Sequence, residues 1–174
     1  MVWMSERANL NIAGDMKQKV LSAILSDPDC MKLILDRADV AVPALDARYV
    51  YVYPWKRIPG VAEEARTFVT FEIAIGSAVN CAVKNYWLNV WVISHESLMP
   101  IDSAVGKKLG ITDRGTRIDI LADKIDYLLN GSKDMGFGKL EIVGSDVFRP
   151  SNESFVGRNL QYKIQGWNRY GEKL

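Results

Sequence analysis

Two stretches of the chain have apolar residues at spacings of three and four, the pattern of a helix with one buried side. The first is interrupted at Asp27-Pro28, where an aspartate cap precedes a proline suited to the first helical position. It predicts a broken helix over residues 15 to 37. The second starts after a cap at Thr112 or Asp113 and stops at Asn130-Gly131, which is typical of a left-handed helix end. Its apolar stripe consists of Ile118, Leu121, Ala122, Ile125, Leu128 and Leu129.

Alternating apolar and polar positions predict strands in the rest of the chain. The predicted strands span residues 49–53, 66–75, 86–94, 138–148 and 155–167. The second and third form a hairpin, and a helix separates them from the last two. This order predicts an α+β fold with an antiparallel or mixed sheet of about four or five strands, flanked by the broken N-terminal helix and one long helix. We expect a single domain over residues 15–168, an extension over 1–14 and a tail over 169–174.

The predicted strand over residues 86–94 is apolar on both faces. Leu88 and Val90 alternate with Trp87 and Trp91, so neither face of the strand is suited to water. Either another subunit covers the second face, or the N-terminal helices cover one face and the long helix covers the other. The sequence leaves both explanations open.

Residues 96 to 113 contain Pro100, Gly106 and Gly110 and show no regular period. A loop of this length in a compact domain is usually functional or mobile. We therefore expect a projecting loop, which serves either as a solvated lid or as a docking surface.

Composition and charge narrow the function classes. The chain has 174 residues, of which 48% are hydrophobic and 25% charged, as in a single globular domain without crosslinks. A net charge of +1 provides no field to attract nucleic acid, which argues against a dedicated nucleic-acid binder. No apolar stretch is long enough to cross a membrane. Cys30 and Cys81 are expected to be buried free thiols, typical of a protein made in a reducing compartment.

The candidate chemical motifs are incomplete. The single histidine begins His95-Glu96-Ser97-Leu98-Met99, where a zinc-protease helix would need a second histidine in place of Met99. We expect His95 to be bonded to a neighbouring group or to water. Gly106-Lys107-Lys108 lacks the remaining residues of a phosphate loop, and Gly136-Phe137-Gly138 follows a helix rather than a strand. The sequence predicts no enzyme, cofactor or metal site; an enzymatic or small-ligand-binding domain is the remote alternative.

Several short segments occur in an order that is familiar as a whole. They are Leu25-Ser26-Asp27-Pro28-Asp29, residues 53–60 (YPWKRIPG), 63–71 (EEARTFVTF), 89–95 (NVWVISH), 115–119 (GTRID), 136–140 (GFGKL) and 155–162 (FVGRNLQY). Together they resemble the tail terminator, or tail completion, proteins of long-tailed bacteriophages, especially those of Gram-positive hosts. The resemblance covers about residues 20 to 168.

This resemblance implies a structural subunit of the virion at the junction of tail and neck, assembled in the host cytoplasm. Six copies would form a ring on the tail tube, end its polymerisation and join it to the head-side connector. The implied partners are the chain itself as a homo-hexamer, the tail tube protein and the head-tail connector or neck protein. DNA would pass through the lumen without specific binding, and no membrane is involved. A head-tail adaptor or stopper, or the collar of a headless contractile particle, remains an alternative.

The ring implies two groups of interface candidates. The axial group contains Met99, Lys107 and Lys108 in the 96–113 loop, and Arg149 and Asn152 in the turn over residues 149–154. The lateral group contains Trp55, Arg57 and Arg117, with an arginine pairing to the acidic Glu63 and Glu64 of a neighbour. The alternatives are that Arg117 caps or salt-bridges within its own helix, and that Glu63-Glu64 lies in a solvated loop.

Overall fold

The computed structural model describes residues 9–60, 64–135 and 137–168 of the chain. The helices in this part are α1 (Asn9–Ser26), α2 (Pro28–Leu35), α3 (Ser103–Leu109) and α4 (Arg117–Leu129). The strands are β1 (Val52–Tyr53), β2 (Thr67–Ala78), β3 (Val83–His95), β4 (Pro100–Ile101), β5 (Gly115–Thr116), β6 (Phe137–Phe148) and β7 (Phe155–Trp167).

Five of these strands form a mixed sheet in the order β1-β2-β3-β7-β6, and β4 pairs with β5 separately. The short β1 runs parallel to β2, whereas the other neighbours in the sheet are antiparallel. The register places Val69 beside Val92, and Val92 beside Arg158. The α+β fold predicted from the sequence is confirmed.

The break between α1 and α2 has the predicted cap. The Asp27 carboxylate accepts a hydrogen bond of 2.7 Å from the backbone N–H of Cys30, and Pro28 occupies the start of α2. However, α1 begins at Asn9 rather than near residue 15, and Ala13 is buried. Residues 9–14 therefore belong to α1, and the predicted boundary after residue 14 falls inside this helix.

The core lies between the helices and one face of the sheet. The main cluster of buried side chains joins α1, α2 and α4 to β2, β3 and β7. Strand residues such as Phe71, Val90 and Leu160 point into this cluster. Because α1 and α4 pack on the same face, the explanation in which they cover opposite faces is wrong.

The stretch over residues 96–113 is more ordered than predicted. It contains a single 3₁₀ turn, β4 and the whole of α3. The Asp102 carboxylate caps α3 by accepting from the N–H groups of Ala104 and Val105, and Gly110 ends the helix at a φ of 65°. Leu109 is fully buried. The expectation of a long projecting loop is therefore wrong.

Two other predicted boundaries shift. The strand expected over residues 49–53 is reduced to β1, because Tyr49 has a φ of 63° that interrupts extended backbone. Similarly, α4 begins after Thr116, later than the predicted cap at Thr112 or Asp113. By contrast, β7 has the predicted limits.

Within the described ranges, no helix combines the length and apolar character needed to cross a membrane.

Candidate interaction surface

One face of the main sheet carries no helix in the described part of the chain. We call it the open face. Its central residues are Thr70, Glu72 and Ala74 of β2, Trp87, Asn89 and Trp91 of β3, and Asn159, Gln161 and Lys163 of β7. These positions alternate with the core residues along each strand, so their side chains point away from the helices. Tryptophans are enriched at protein interfaces, so Trp87 and Trp91 make the open face a candidate interaction surface.

A row of aromatic rings lies at one end of the open face. It consists of Tyr49, Trp55, Tyr53, Phe68, Phe155 and His95, with successive ring centroids 5.1 to 6.2 Å apart. Three arginines, Arg48, Arg57 and Arg66, stack on rings of this row or on the adjacent Tyr51. We call these residues the aromatic–arginine cluster. Tyr53, Phe68 and Phe155 are buried in it with Ile93, and no helix of the described chain contributes to that packing.

Arg57 is held at the centre of this cluster. Its guanidinium carbon lies 4.9 Å from the centroid of Tyr53 and 5.2 Å from that of Phe68. Its backbone N–H donates to the Thr70 hydroxyl at 2.9 Å. Cation–π contacts of this kind stabilise a partly desolvated cation. Trp55, two residues earlier, is 46% exposed and packs on Tyr53 and Tyr49.

A cleft of about 210 Å³ opens beside the cluster. Its lining residues are Lys56, Arg57, Ile58, Trp91, Ile93, Phe148, Arg149, Pro150 and Ser151. Trp91, Ile93 and Phe148 give it an apolar floor, and the Lys56 ammonium lies 5.1 Å from the Trp91 ring. The close approach of Phe148 to Gly157 shapes this floor, since a Cβ at residue 157 would lie 2.5 Å from the ring.

The turn over residues 149–154 is tied to the same end of the sheet. Arg149 donates to the Glu96 carboxylate at 2.7 Å, and Asn152 donates to the Gly60 carbonyl at 2.7 Å. Trp55, Arg57, Arg149 and Asn152 are thus brought together. In the groups predicted from the sequence, Trp55 and Arg57 are lateral candidates, whereas Arg149 and Asn152 are axial candidates.

The remaining axial candidates lie in the helix layer. Met99 is half-buried against the main core, and Lys107 is exposed on α3. Lys108 donates to the Asp36 carboxylate at the end of α2, at 2.7 Å. These residues are therefore separate from the aromatic–arginine cluster.

The prediction that Arg117 contacts a neighbouring subunit is wrong. The side chain is only 2% exposed, and its three guanidinium nitrogens bond within the chain. Of the predicted acidic pair, Glu64 is exposed just before β2, whereas Glu63 lies outside the described residues.

The histidine and the two cysteines are the side chains of the chain most suited to reactive chemistry, and the structure places them apart from one another. His95 Nδ1 lies 2.8 Å from the Ser97 hydroxyl and accepts from the Ser97 N–H, which confirms the expected neighbour contact. Cys30 is buried as expected, but Cys81 is exposed on the β2–β3 turn, so that part of the prediction is wrong. Among the described residues, no group of three or more His, Cys, Asp or Glu side chains is arranged to hold a metal ion.

The cleft is not predicted from the sequence. The alternating pattern places Trp91 on one apolar face of a predicted strand, and it places Ile93 and Phe148 only within predicted strands. In the structure, the register of β3, β7 and β6 places Ile93 beside Gly157 and Gly157 beside Phe148. Because Gly157 has no side chain, the ring of Phe148 can lie close to the sheet beside Ile93.

Comparison with known proteins gives a family and a distant structural likeness. The model of the YomW family matches residues 18–164. A solved structure titled "Virion of native gene transfer agent (GTA) particle" contains a chain that is 15% identical, with a TM-score of 0.41. The match covers 86% of this chain and 96% of that one. No curated protein matches the sequence.

Proposed function

Because the chain belongs to the YomW family, a phage-derived family, we propose that it is a structural protein of a phage particle and acts as its tail terminator. Six copies form a ring on the end of the tail tube. The ring ends tube polymerisation and presents a surface to the head-side connector or neck protein. The protein works in the virion, at the junction between tail and neck, and without catalytic chemistry.

The open face is the observation that carries this proposal. It exposes parts of Trp87 and Trp91, and the cluster at its end leaves Trp55 46% exposed beside three arginines. Exposed aromatic and arginine side chains are enriched at protein interfaces and supply much of their binding energy. The helices of the described chain pack on the other face, which leaves the open face available to a partner.

The polar groups of the surface support a binding role rather than a catalytic one. The one histidine is committed to Ser97, and the arginines of the cluster stack on rings instead of converging on a reactive site. The cleft of about 210 Å³ is smaller than the ~300–1,000 Å³ of pockets that enclose small-molecule ligands. Such a cleft suits a side chain of a protein partner.

The test is a tube-length assay with purified tube protein from the same particle. Addition of the wild-type chain is expected to stop growth and give short tubes. Trp55→Ala removes an exposed anchor and should weaken this activity at least about tenfold, because aromatic residues supply much of the binding energy of interfaces. Leu10→Ala, at an exposed apolar residue of α1 in the helix layer, is the control and should act like wild type. Tubes that grow to the same length with and without the chain would overturn the proposal.

A further inference from the structure

Tyr127 is an unusual exposed side chain. It lies on the water side of α4 and is 87% exposed, more than any other large apolar or aromatic side chain in the described ranges. Its phenol makes no hydrogen bond to another residue of that part of the chain. Asp123 lies one helical turn earlier on the same stripe, is also exposed, and makes no ion pair with the described residues. Together they present a protruding ring beside an available carboxylate.

The cleft on the open face has the complementary character. Its floor is Trp91, Ile93 and Phe148, and its rim carries the cations Lys56 and Arg149. The Arg149–Glu96 pair is exposed on both sides, with 61% and 50% exposed side chains. Exposed pairs of this kind contribute little to stability, so Arg149 can exchange this partner for another carboxylate.

The two features lie on opposite faces of the molecule. Tyr127 projects from the helix layer, whereas the cleft opens on the face of the sheet that this layer does not cover. A chain therefore cannot fill its own cleft, but a second copy can. Because the two surfaces differ, the contact is head-to-tail, the type that generates rings when the rotation closes.

We infer that Tyr127 of one copy inserts into the cleft of the next, with Asp123 beside Lys56 and Arg149 of that copy. The aromatic side chain of Tyr127 packs on the apolar floor of the cleft, and the carboxylate of Asp123 is held by the two cations of its rim. The inference deepens the proposed function and rests on it, since it names the contact through which the ring closes.

Light scattering over a range of protein concentrations tests this contact with two variants. Tyr127→Ala removes the inserted side chain, and the double variant Lys56→Glu/Arg149→Glu reverses the rim. Each is expected to weaken self-association at least about tenfold. An equal mixture of the two variants should form pairs and nothing larger. In such a pair, Tyr127 of the rim variant enters the intact cleft of the Tyr127→Ala variant, and no further contact of this kind is possible. A mixture that behaves as the separate variants do would overturn the inference.

Reversing the charges on both sides of the contact, together with matched control variants, distinguishes loss of this contact from loss of folding. Asp123→Lys should weaken assembly, and adding Lys56→Glu should restore part of it. Leu10→Ala and Lys133→Glu change an exposed apolar residue and an exposed cation elsewhere, and they should assemble like wild type. Thermal unfolding of every variant checks that the fold is intact.

The outcomes distinguish this contact from the proposed function. A wild-type chain that is monomeric at all concentrations, or assembly that is unchanged in both variants, overturns the contact through Tyr127. The tube-length assay decides the terminator role independently, since a chain that shortens tubes through another contact would keep that role.

Discussion

The guanidinium of Arg117 lies 2.5 Å from the carboxylate of Asp36, measured from Nη2 to Oδ1. Nη1 of the same arginine donates to the Leu33 carbonyl at 2.6 Å, and Nε donates to the Leu98 carbonyl at 2.7 Å. One buried side chain thus joins the end of α2, the segment before β4 and the start of α4. Removing any one partner of this buried arginine would leave another polar group without a hydrogen bond, which costs stability.

Arg117→Ala is expected to destabilise the fold strongly. It leaves two carbonyls and Oδ1 of Asp36 without their donor, and breaking a buried pair costs about 3–5 kcal/mol. Chemical denaturation measures the free energy of unfolding. Arg114→Ala, three residues earlier and exposed, is the control and should change it by less than about 0.5 kcal/mol. Equal effects of the two substitutions would contradict the buried network.

The stability of the protein should fall in acid through Asp36. Partial burial by itself raises the pKa of this carboxyl, but hydrogen bonds and charge from Lys108 and Arg117 outweigh it and hold the pKa below its ordinary value. The stabilisation is present above the unfolded pKa of about 3.9 and is lost as the pH falls through the lower folded pKa. Asp36→Asn should be less stable at neutral pH and should lose less stability on acidification.

Asp39→Asn is the matched control for this titration, because Asp39 is exposed. It should keep the acid dependence of the wild type. Unfolding measured at a series of pH values between neutrality and about pH 2 compares the three proteins. An Asp36→Asn curve that is parallel to the wild-type curve would show that this carboxyl does not contribute.

An opposite dependence is expected in alkali through Tyr162. Burial raises the pKa of its phenol, and so do the charge of Asp126 and the hydrogen bond of 3.0 Å to that carboxylate. A raised folded pKa gives stability that is full below the unfolded pKa of about 10 and is lost at higher pH. Tyr162→Phe should cost about 1 kcal/mol at pH 7 and reduce the alkaline loss. Tyr127→Phe, at the exposed position, should leave the pH dependence unchanged in the same unfolding series.

The two cysteines should differ sharply toward a maleimide reagent. Cys81 is exposed, whereas Cys30 is fully buried, and burial together with the negative charge of Asp27 raises the pKa of its thiol. Because the thiolate is the reactive form, the native protein should take up one label and the denatured protein two. Mass spectrometry counts the labels, and Cys81→Ser should take up none while folded. Rapid native labelling of Cys30 would contradict the placement of α2.

The sequence is sufficient to predict elements in which local pattern and final burial agree. The limits of β7 follow from strict alternation around Leu160, Tyr162 and Ile164, all of which are buried in the structure. The cap at Asp27-Pro28 is equally local, since the carboxylate and the N–H it accepts from are three residues apart. Such features depend on neighbours in sequence, which the pattern contains.

Features that depend on distant segments were not predictable in this way. The short α3 has few apolar positions, and its helix is fixed by the Asp102 cap and by burial of Leu109. Arg117 was expected at the surface because its acceptors, Leu33 and Leu98, are far away in sequence. A charged residue is predicted to be buried only when its partners are known.

In the candidate surface, too, single residues are predictable from the local sequence, whereas their arrangement depends on distant segments. Trp55 and Arg57 were identified from the sequence, and Arg149 and Asn152 were identified separately as part of a turn. Their meeting depends on the Asn152–Gly60 hydrogen bond and on the pairing of β6 with β7. The cleft between them exists only in the assembled sheet, so composition and periodicity contain no trace of it.

Electron microscopy of tail tubes assembled with the purified chain tests the central claim most directly. The account predicts a ring of six subunits at one end of each tube, with the open face of every subunit covered by a neighbour or by the tube. Tubes with bare ends, or a ring in which the open face and its tryptophans remain exposed to solvent, would contradict it.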